Sequence, residues 1–343
     1  MKKTIYTNNL RIFSLLLFFL VFTFPFSILS QNKIDSKKVQ IFHIQNYFTE
    51  AYLVKGNSEK LLLIDTGVPV PGYQDSLVNS IKKLGFKPEN ISLAIVTHGH
   101  GDHAGNARFL QQTFKTKIAG SKADLDKFTS GKTELSKSED VSIWGSRLRP
   151  YCDLDYPDFT PDIIVENASI DLEKYGVSGK IIPIKGGHTP GDLLILIGEN
   201  LFVGDTFVGT FKSQGGGLVP DGHHVREHFY HENKQLADQN LKLIEKIAIE
   251  NKVTAIYPTH NGPVSTYELT KYIKEEPLLK LLSKQETNSA SEDFRIVFSN
   301  ENTAVMTFLE TNKIEEKEAK TASVTQTYSK EKGIWKLVYK EVR

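Results

Sequence analysis

The chain reads as an α/β protein made of two similar halves, each a sheet covered by helices, followed by a short all-β segment. Three observations predict this. The order hairpin, Asp-Thr, helix, strand, Thr-His occurs twice: at Asp65-Thr66 and Thr97-His98, and again at Asp205-Thr206 and Thr259-His260. Apolar strand-like runs alternate with amphipathic helical runs through both halves, the pattern of sheets flanked by helices. After Ser289 the helical spacing disappears and only strand-like runs remain.

In the first half, Val39 to His43 alternates, and Ala51–Lys55 and Lys60–Asp65 flank the turn Gly56-Asn57-Ser58, which predicts a hairpin. Residues 74–85 carry apolar side chains at helical spacing and stop at Gly85. Leu93–Val96 is a short apolar strand that runs into Thr97-His98-Gly99-His100-Gly101-Asp102-His103, with a helix expected from about Ala104 to Thr113. In the second half, Leu193–Ile197 and Leu201–Val203 are strands around Gly198-Glu199-Asn200; a long amphipathic helix is expected over 229–249, a strand over Val253–Tyr257, and a closing helix over 266–283. Two less regular stretches interrupt the pattern. Residues 121–165 read as a partly helical insertion that could roof a site, and 207–228, with Gly215-Gly216-Gly217, as a long loop of the functional or mobile kind. These elements assign residues 37–285 to the main domain and 290–343 to an appendage with strands at Phe294–Phe298, Thr303–Leu309, Ser323–Tyr328 and Trp335–Val342. A lone small sheet is marginally stable, so the appendage should pack on the main domain or on another subunit.

Composition narrows the partners. The chain has 42 Lys+Arg against 41 Asp+Glu, and no basic stripe stands out, which argues against a nucleic-acid partner and leaves a small-molecule substrate. Residues 1–30 stand apart from the fold. Lys2, Lys3 and Arg11 precede the apolar run Ile12–Leu29, and Ser27-Ile28-Leu29-Ser30 offers small residues before a polar stretch. That is the pattern of a cleaved export signal, giving a periplasmic or secreted protein with no membrane attachment after cleavage. An uncleaved anchor is the alternative, since a run of ~18 residues is borderline for spanning a bilayer. Cys152 is the sole cysteine, so no intrachain disulfide is available. Its mixed-polarity surroundings without a nearby histidine favour a packing role over a nucleophilic one.

The chemistry lies in His98-Gly99-His100-Gly101-Asp102-His103, where four ligand-type side chains occupy six residues. Interposed glycines let the backbone turn sharply so that the side chains converge. Imidazole and carboxylate suit zinc, and thiolate ligands are absent. So short a run cannot complete two coordination shells, so distant loops must contribute. Gly186-Gly187-His188-Thr189-Pro190-Gly191-Asp192, Val203-Gly204-Asp205-Thr206 and Tyr257-Pro258-Thr259-His260 are the candidates. Each is weak alone, because a lone strand-end histidine is more often satisfied by hydrogen bonds, but their joint occurrence in this order is hard to ascribe to chance.

With these motifs together, residues 37–285 resemble the metallo-β-lactamase superfamily, and Leu62-Leu63-Ile64-Asp65-Thr66-Gly67 looks like that family's early strand. The resemblance implies a four-layer αββα sandwich with two divalent metal ions, expected to be Zn²⁺, at one edge. It places His98, His100 and His188 on the first metal, Asp102, His103 and His260 on the second, and Asp205 across both. A bridging carboxylate and hydroxide would reduce the repulsion of two cations ~3.5–4 Å apart. The hydroxide would attack an ester, lactone, thioester or amide carbonyl, with Asp102 orienting it as the catalytic residue.

A bridging aspartate resembles the lactonase and glyoxalase-II-like members. A true β-lactamase hydrolysing β-lactam antibiotics is the alternative, although lactamase branches usually carry Cys or Ser where Asp205 stands. A non-catalytic metal-binding module is the alternative of another class. Asp65 is expected to be structural, as is His43. His223, His224, His228 and His231 are expected to be surface histidines rather than contacts to substrate or metal. Tyr257 and Asn261, which flank a ligand candidate, are weak candidates for substrate contact.

Overall fold

Leu61, Leu62, Leu63 and Ile64 are four consecutive apolar residues, all buried. In an extended strand, neighbours point to opposite faces, so such a run has to be covered on both sides. The computed structural model, which describes residues 39–141, 143–209, 225–283, 289–312, 320–332 and 334–343, shows how. Leu61 and Leu63 join a core with Leu77 and Ile81 of helix α1 (Tyr73–Lys83) and Leu110 of helix α3 (Ala107–Phe114). Leu62 and Ile64 face the other way, into a core shared with Leu193, Ile195 and Ile197.

The same division repeats in the second sheet. Leu193, Ile195 and Ile197 point to the first sheet, while Leu194 and Leu196 pack with Leu241 and Ile244 of helix α6 (Lys234–Glu250) and with Leu269 of helix α7 (Thr266–Ser283). Three stacked cores separate four layers, helix, sheet, sheet, helix, which is the expected αββα sandwich.

The first sheet runs β1 (Gln40–Asn46), β2 (Thr49–Lys55), β3 (Leu61–Ile64), β4 (Ile91–Ile95), β5 (Lys117–Ser121) and β6 (Ile163–Val165) in spatial order. β1, β2 and β3 pair antiparallel, and β3, β4, β5 and β6 parallel. The second sheet comprises β7 (Ile170–Asp171), β8 (Gly179–Pro183), β9 (Leu193–Ile197), β10 (Asn200–Gly204) and β11 (Ala255–Pro258), with β10 and β11 parallel and the rest antiparallel. In each half the hairpin strand that ends in Asp-Thr lies parallel to the strand that leads to Thr-His. Both parallel pairs therefore deliver their polar ends to the same edge.

Two boundaries differ from expectation. The helix after the His-rich run is broken: a single turn, α2 (Gly101–Ala104), precedes α3, and the 121–165 insertion then adds α4 (Leu125–Ser130) and α5 (Ile143–Cys152). Helix α6 begins at Lys234 instead of 229, because the Asn233 side chain accepts the Leu236 N–H at 2.9 Å and caps it. Tyr230 and His231, whose apolar and aromatic neighbours imitate the helical spacing, instead pair antiparallel with Asp140 and Val141.

The appendage is a four-stranded antiparallel meander: β12 (Ser289–Asn300), β13 (Thr303–Asn312), β14 (Lys320–Glu331) and β15 (Ile334–Val342). Its strands are longer than their apolar centres suggest, because the ladders continue through polar residues such as Thr325–Glu341 and Glu310–Ala322. Leu278 of α7 is buried with Met306, Phe308, Val324 and Trp335, so one face of the sheet is covered by the main domain. The segments 1–30 and 210–224, including His223 and His224, lie outside the described residues. Among the described residues, no helix is long and apolar enough to cross a membrane.

Candidate metal centre

Seven side chains from four separate loops converge at the shared sheet edge. His98, His100 and His188 form one group of potential ligand atoms, and Asp102, His103, Asp205 and His260 form another, each group lying within 4.8 Å. The Asp205 Oδ2 atom ties them together: it lies 3.2 Å from His103 Nε2, 3.3 Å from His260 Nε2 and 3.6 Å from His188 Nε2. Asp102 Oδ2 faces the second group at 3.4 Å from His103 Nε2 and 3.3 Å from His260 Nε2.

Four of the five histidines are oriented from behind by the ring nitrogen that faces away from the site. His98 Nδ1 lies 3.1 Å from Thr97 Oγ1, His103 Nδ1 2.9 Å from Asp65 Oδ2, His260 Nδ1 3.0 Å from the Phe48 carbonyl, and His188 Nδ1 2.7 Å from the Tyr230 carbonyl. The carbonyls and the carboxylate can only accept, so they hold the proton on Nδ1 and leave the Nε2 lone pair facing inward. His100 presents Nδ1 instead, 2.9 Å from His188 Nε2.

Asp65 is fully buried and anchors this arrangement. It accepts from the Thr97 backbone N–H, the hydroxyls of Thr97 and Thr259, and His103, and so joins the strand ends of both halves under the site. The expectation of a structural role is thus what the geometry displays. Two further buried carboxylates fasten the loops. Asp124 accepts from the Gly99 N–H and the Thr189 hydroxyl, both at 2.7 Å. Asp192 accepts from the His188 N–H at 2.9 Å. Burial pushes Asp124 up to about 6 and Asp192 up to about 8.

The glycines of the His-rich run matter for a different reason from the expected sharp turn. Neither Gly99 nor Gly101 has positive φ. A Cβ on Gly101 would instead meet the Leu154 carbonyl oxygen at 2.2 Å. The 121–165 insertion presses that closely on the run: Gly101 N–H donates to Thr133 Oγ1 at 2.8 Å and the Tyr156 hydroxyl to the Gly99 carbonyl at 2.9 Å.

The electrostatics fit a cation. Burial, and then the neighbouring imidazoles, hold His98 and His188 well below the usual histidine range, and burial lowers His100 to about 3. These three are neutral nitrogen donors. In the second group burial also opposes charge on the imidazoles, yet Asp205 and Asp102 outweigh it, raising His103 well above its usual value and His260 to about 10. The carboxylates thus draw positive charge to this spot, and a divalent ion answers the same pull. Among the described residues, His98 Nε2 and Asp205 Oδ1 are buried without a hydrogen-bond partner, as lone pairs awaiting a ligand would be. Imidazole and carboxylate without thiolate suit a divalent metal of the zinc type.

His228 and His231 depart from the expectation of surface histidines. They are 8% and 1% exposed, and His228 Nε2 lies 3.1 Å from Asp205 Oδ2, making a third group with His188. His228 ends the long loop and His231 falls in the expected helix, so only the observed return of the chain across the site brings them in. His43 lies 3.4 Å from Glu50 and edge-on to Tyr52, a structural setting. Tyr257 stacks on Phe202 and points its hydroxyl at Asn200, away from the ligand group. Cys152 has its thiol pushed up to about 12, chiefly by burial, which leaves it protonated and supports the packing role.

The metallo-β-lactamase superfamily model matches residues 46–244. The hydroxyacylglutathione hydrolase GloC of Haemophilus influenzae is 28% identical over 178 residues, 52% of this chain and 73% of that protein. A subclass B3 metallo-β-lactamase of Bradyrhizobium japonicum is 20% identical with a TM-score of 0.47, covering 71% of this chain and 91% of that one. A β-lactamase from Chitinophaga pinensis is 18% identical with a TM-score of 0.47, over 72% and 91% of the two chains. With the family model spanning more than half of the chain and the ligand-type loops gathered at the edge of its sandwich, the chain belongs to the metallo-β-lactamase superfamily and is a metal-dependent hydrolase.

Proposed function

We propose that the protein is an exported, dinuclear zinc hydrolase that attacks an ester, lactone, thioester or amide carbonyl. The observation that carries the dinuclear reading is Asp205: one carboxylate oxygen lies within 3.6 Å of nitrogens from both ligand groups. Of the carbonyl substrates, thioesters draw the most support, from the likeness to a hydroxyacylglutathione hydrolase. Export rests on the leader-like residues 1–30.

His98, His100 and His188 would hold one ion, Asp102, His103 and His260 the other, and Asp205 both. Bound zinc supplies Lewis acidity and makes water acidic enough to attack near neutral pH. The chain's own residues do the rest. Hydrogen bonds from His98, His103, His260 and His188 to Thr97, Asp65, Phe48 and Tyr230 fix which nitrogen these four imidazoles present, so no reorganisation is needed when substrate arrives. Asp102 Oδ2, which faces His103 and His260, would orient the attacking water by accepting its hydrogen bond.

A panel of lactones, thioesters, β-lactams and phosphodiesters, run on metal-analysed full-length protein, tests this reading. Carbonyl hydrolysis should vanish with a strong chelator and return with zinc. Activity that persists in verified metal-free protein would overturn the mechanism, and preference for phosphodiesters would overturn the substrate class.

A further inference from the structure

The backbone of Tyr230 touches two imidazoles at once, and it treats them oppositely. Its carbonyl oxygen lies 2.7 Å from His188 Nδ1, and its N–H donates to His228 Nδ1 at 3.1 Å. A carbonyl can only accept, so His188 carries its proton on Nδ1 and turns an Nε2 lone pair to the site. A backbone N–H can only donate, so His228 Nδ1 carries the lone pair and the proton sits on Nε2. The longer approach of His228 Nδ1 to the same carbonyl, 3.4 Å, does not compete, since that nitrogen is already an acceptor. His228 Nε2 therefore presents an N–H, 3.1 Å from Asp205 Oδ2.

We propose that His228 is a positioning residue for Asp205, a hydrogen-bond donor that holds the carboxylate across the two ligand groups, and not an additional metal ligand. The inference rests on the zinc reading of the site given above. His188, Asp205 and His228 would pass for a three-ligand group on distance alone. The tautomer separates them: a nitrogen bearing a proton has no lone pair to give a cation. Asp205 has lone pairs enough for this donor as well as for metal, and its Oδ1 atom has no hydrogen-bond partner among the described residues. The segment that carries His228 is pinned on both sides. Val225 and Arg226 pair with Val208 and Gly209, which follow Asp205 in the chain, and Tyr230 and His231 pair with Asp140 and Val141. The Arg226 guanidinium also lies over the Phe229 ring at 4.4 Å. So the donor is fixed relative to the strand that delivers its acceptor.

The test uses zinc-loaded full-length protein. Long-range proton–nitrogen NMR of the histidine rings should show His228 as the Nε2–H tautomer with a free Nδ1 lone pair, while His188 shows an Nδ1 proton and metal-bound Nε2. Zinc stoichiometry should be unchanged in His228→Ala, but zinc should be lost to a competing chelator about 10–100-fold more readily. His228→Gln, whose amide nitrogen can reach the Nε2 position, should recover most of that loss. An Nδ1–H tautomer at His228, loss of one zinc equivalent in His228→Ala, or unchanged zinc retention in His228→Ala would each overturn the proposal. Failure of the wild-type protein to bind zinc would instead overturn the reading on which it rests.

Discussion

Asp65 and Asp205 occupy matching places in the two halves. Each follows a hairpin strand, each precedes a threonine, and each lies beside the parallel strand that ends in Thr-His. Their surroundings differ. Asp65 adopts a left-handed backbone (φ 58°) and its carboxylate is filled by protein donors: Thr97 N–H, Thr97 and Thr259 hydroxyls, and His103 Nδ1. Asp205 faces imidazole nitrogens on several sides, and its Oδ1 atom has no hydrogen-bond partner among the described residues. One motif has become a fastening in the first half and a ligand candidate in the second. What distinguishes them is which lone pairs the fold leaves unused.

That comparison can be broken by experiment. The largest effect is expected at Asp205. Asp205→Asn should cut turnover by about 10²–10³-fold or more and lower zinc content, because charge stabilisation at the reacting centre is lost. Its cost to metal-free stability should be the smaller of the two. Asp65→Asn should act first on the fold. It strands buried donors from both halves, so metal-free protein should lose about 3 kcal/mol in denaturant unfolding. If both substitutions act alike on metal-free stability, the distinction fails.

A smaller effect is expected at Gly101, where the fastening and the ligand run meet. Gly101→Ala forces a Cβ against the Leu154 carbonyl. A loss of about 1–3 kcal/mol in thermal unfolding is expected, the usual range for overpacking. Unchanged stability would show that the insertion does not press on the run. The smallest effect is expected at Cys152. Cys152→Ser should leave turnover within about twofold, and the wild-type thiol should react with iodoacetamide far more slowly at pH 8 than free cysteine, because its pKa of about 12 leaves little thiolate.

How far the site could be read beforehand follows from the same distinction. His98, His100, Asp102 and His103 were legible because four ligand types crowd one six-residue run. His188, Asp205 and His260 became legible only together, through their order and the family resemblance. The αββα layering was legible because strands such as Leu61–Ile64 are apolar on both faces, which demands two covers. His228 was not legible, since its role depends on a peptide two residues away and on a carboxylate delivered by another strand. Sequence periodicity records neither. The α6 start was misplaced because Phe229 and Tyr230 continue the apolar spacing past the capping Asn233. The glycines were legible as a requirement, but the cause was a crowding contact from residue 154, which no local pattern contains.

Loops from both halves build one site, and the proposed function puts two cations in it. Anomalous diffraction at the zinc edge from crystals of the zinc-loaded protein tests it directly. Two peaks are expected, one among His98, His100 and His188 and one among Asp102, His103 and His260, with Asp205 reaching both. A single peak, or peaks elsewhere on the chain, would contradict the claim.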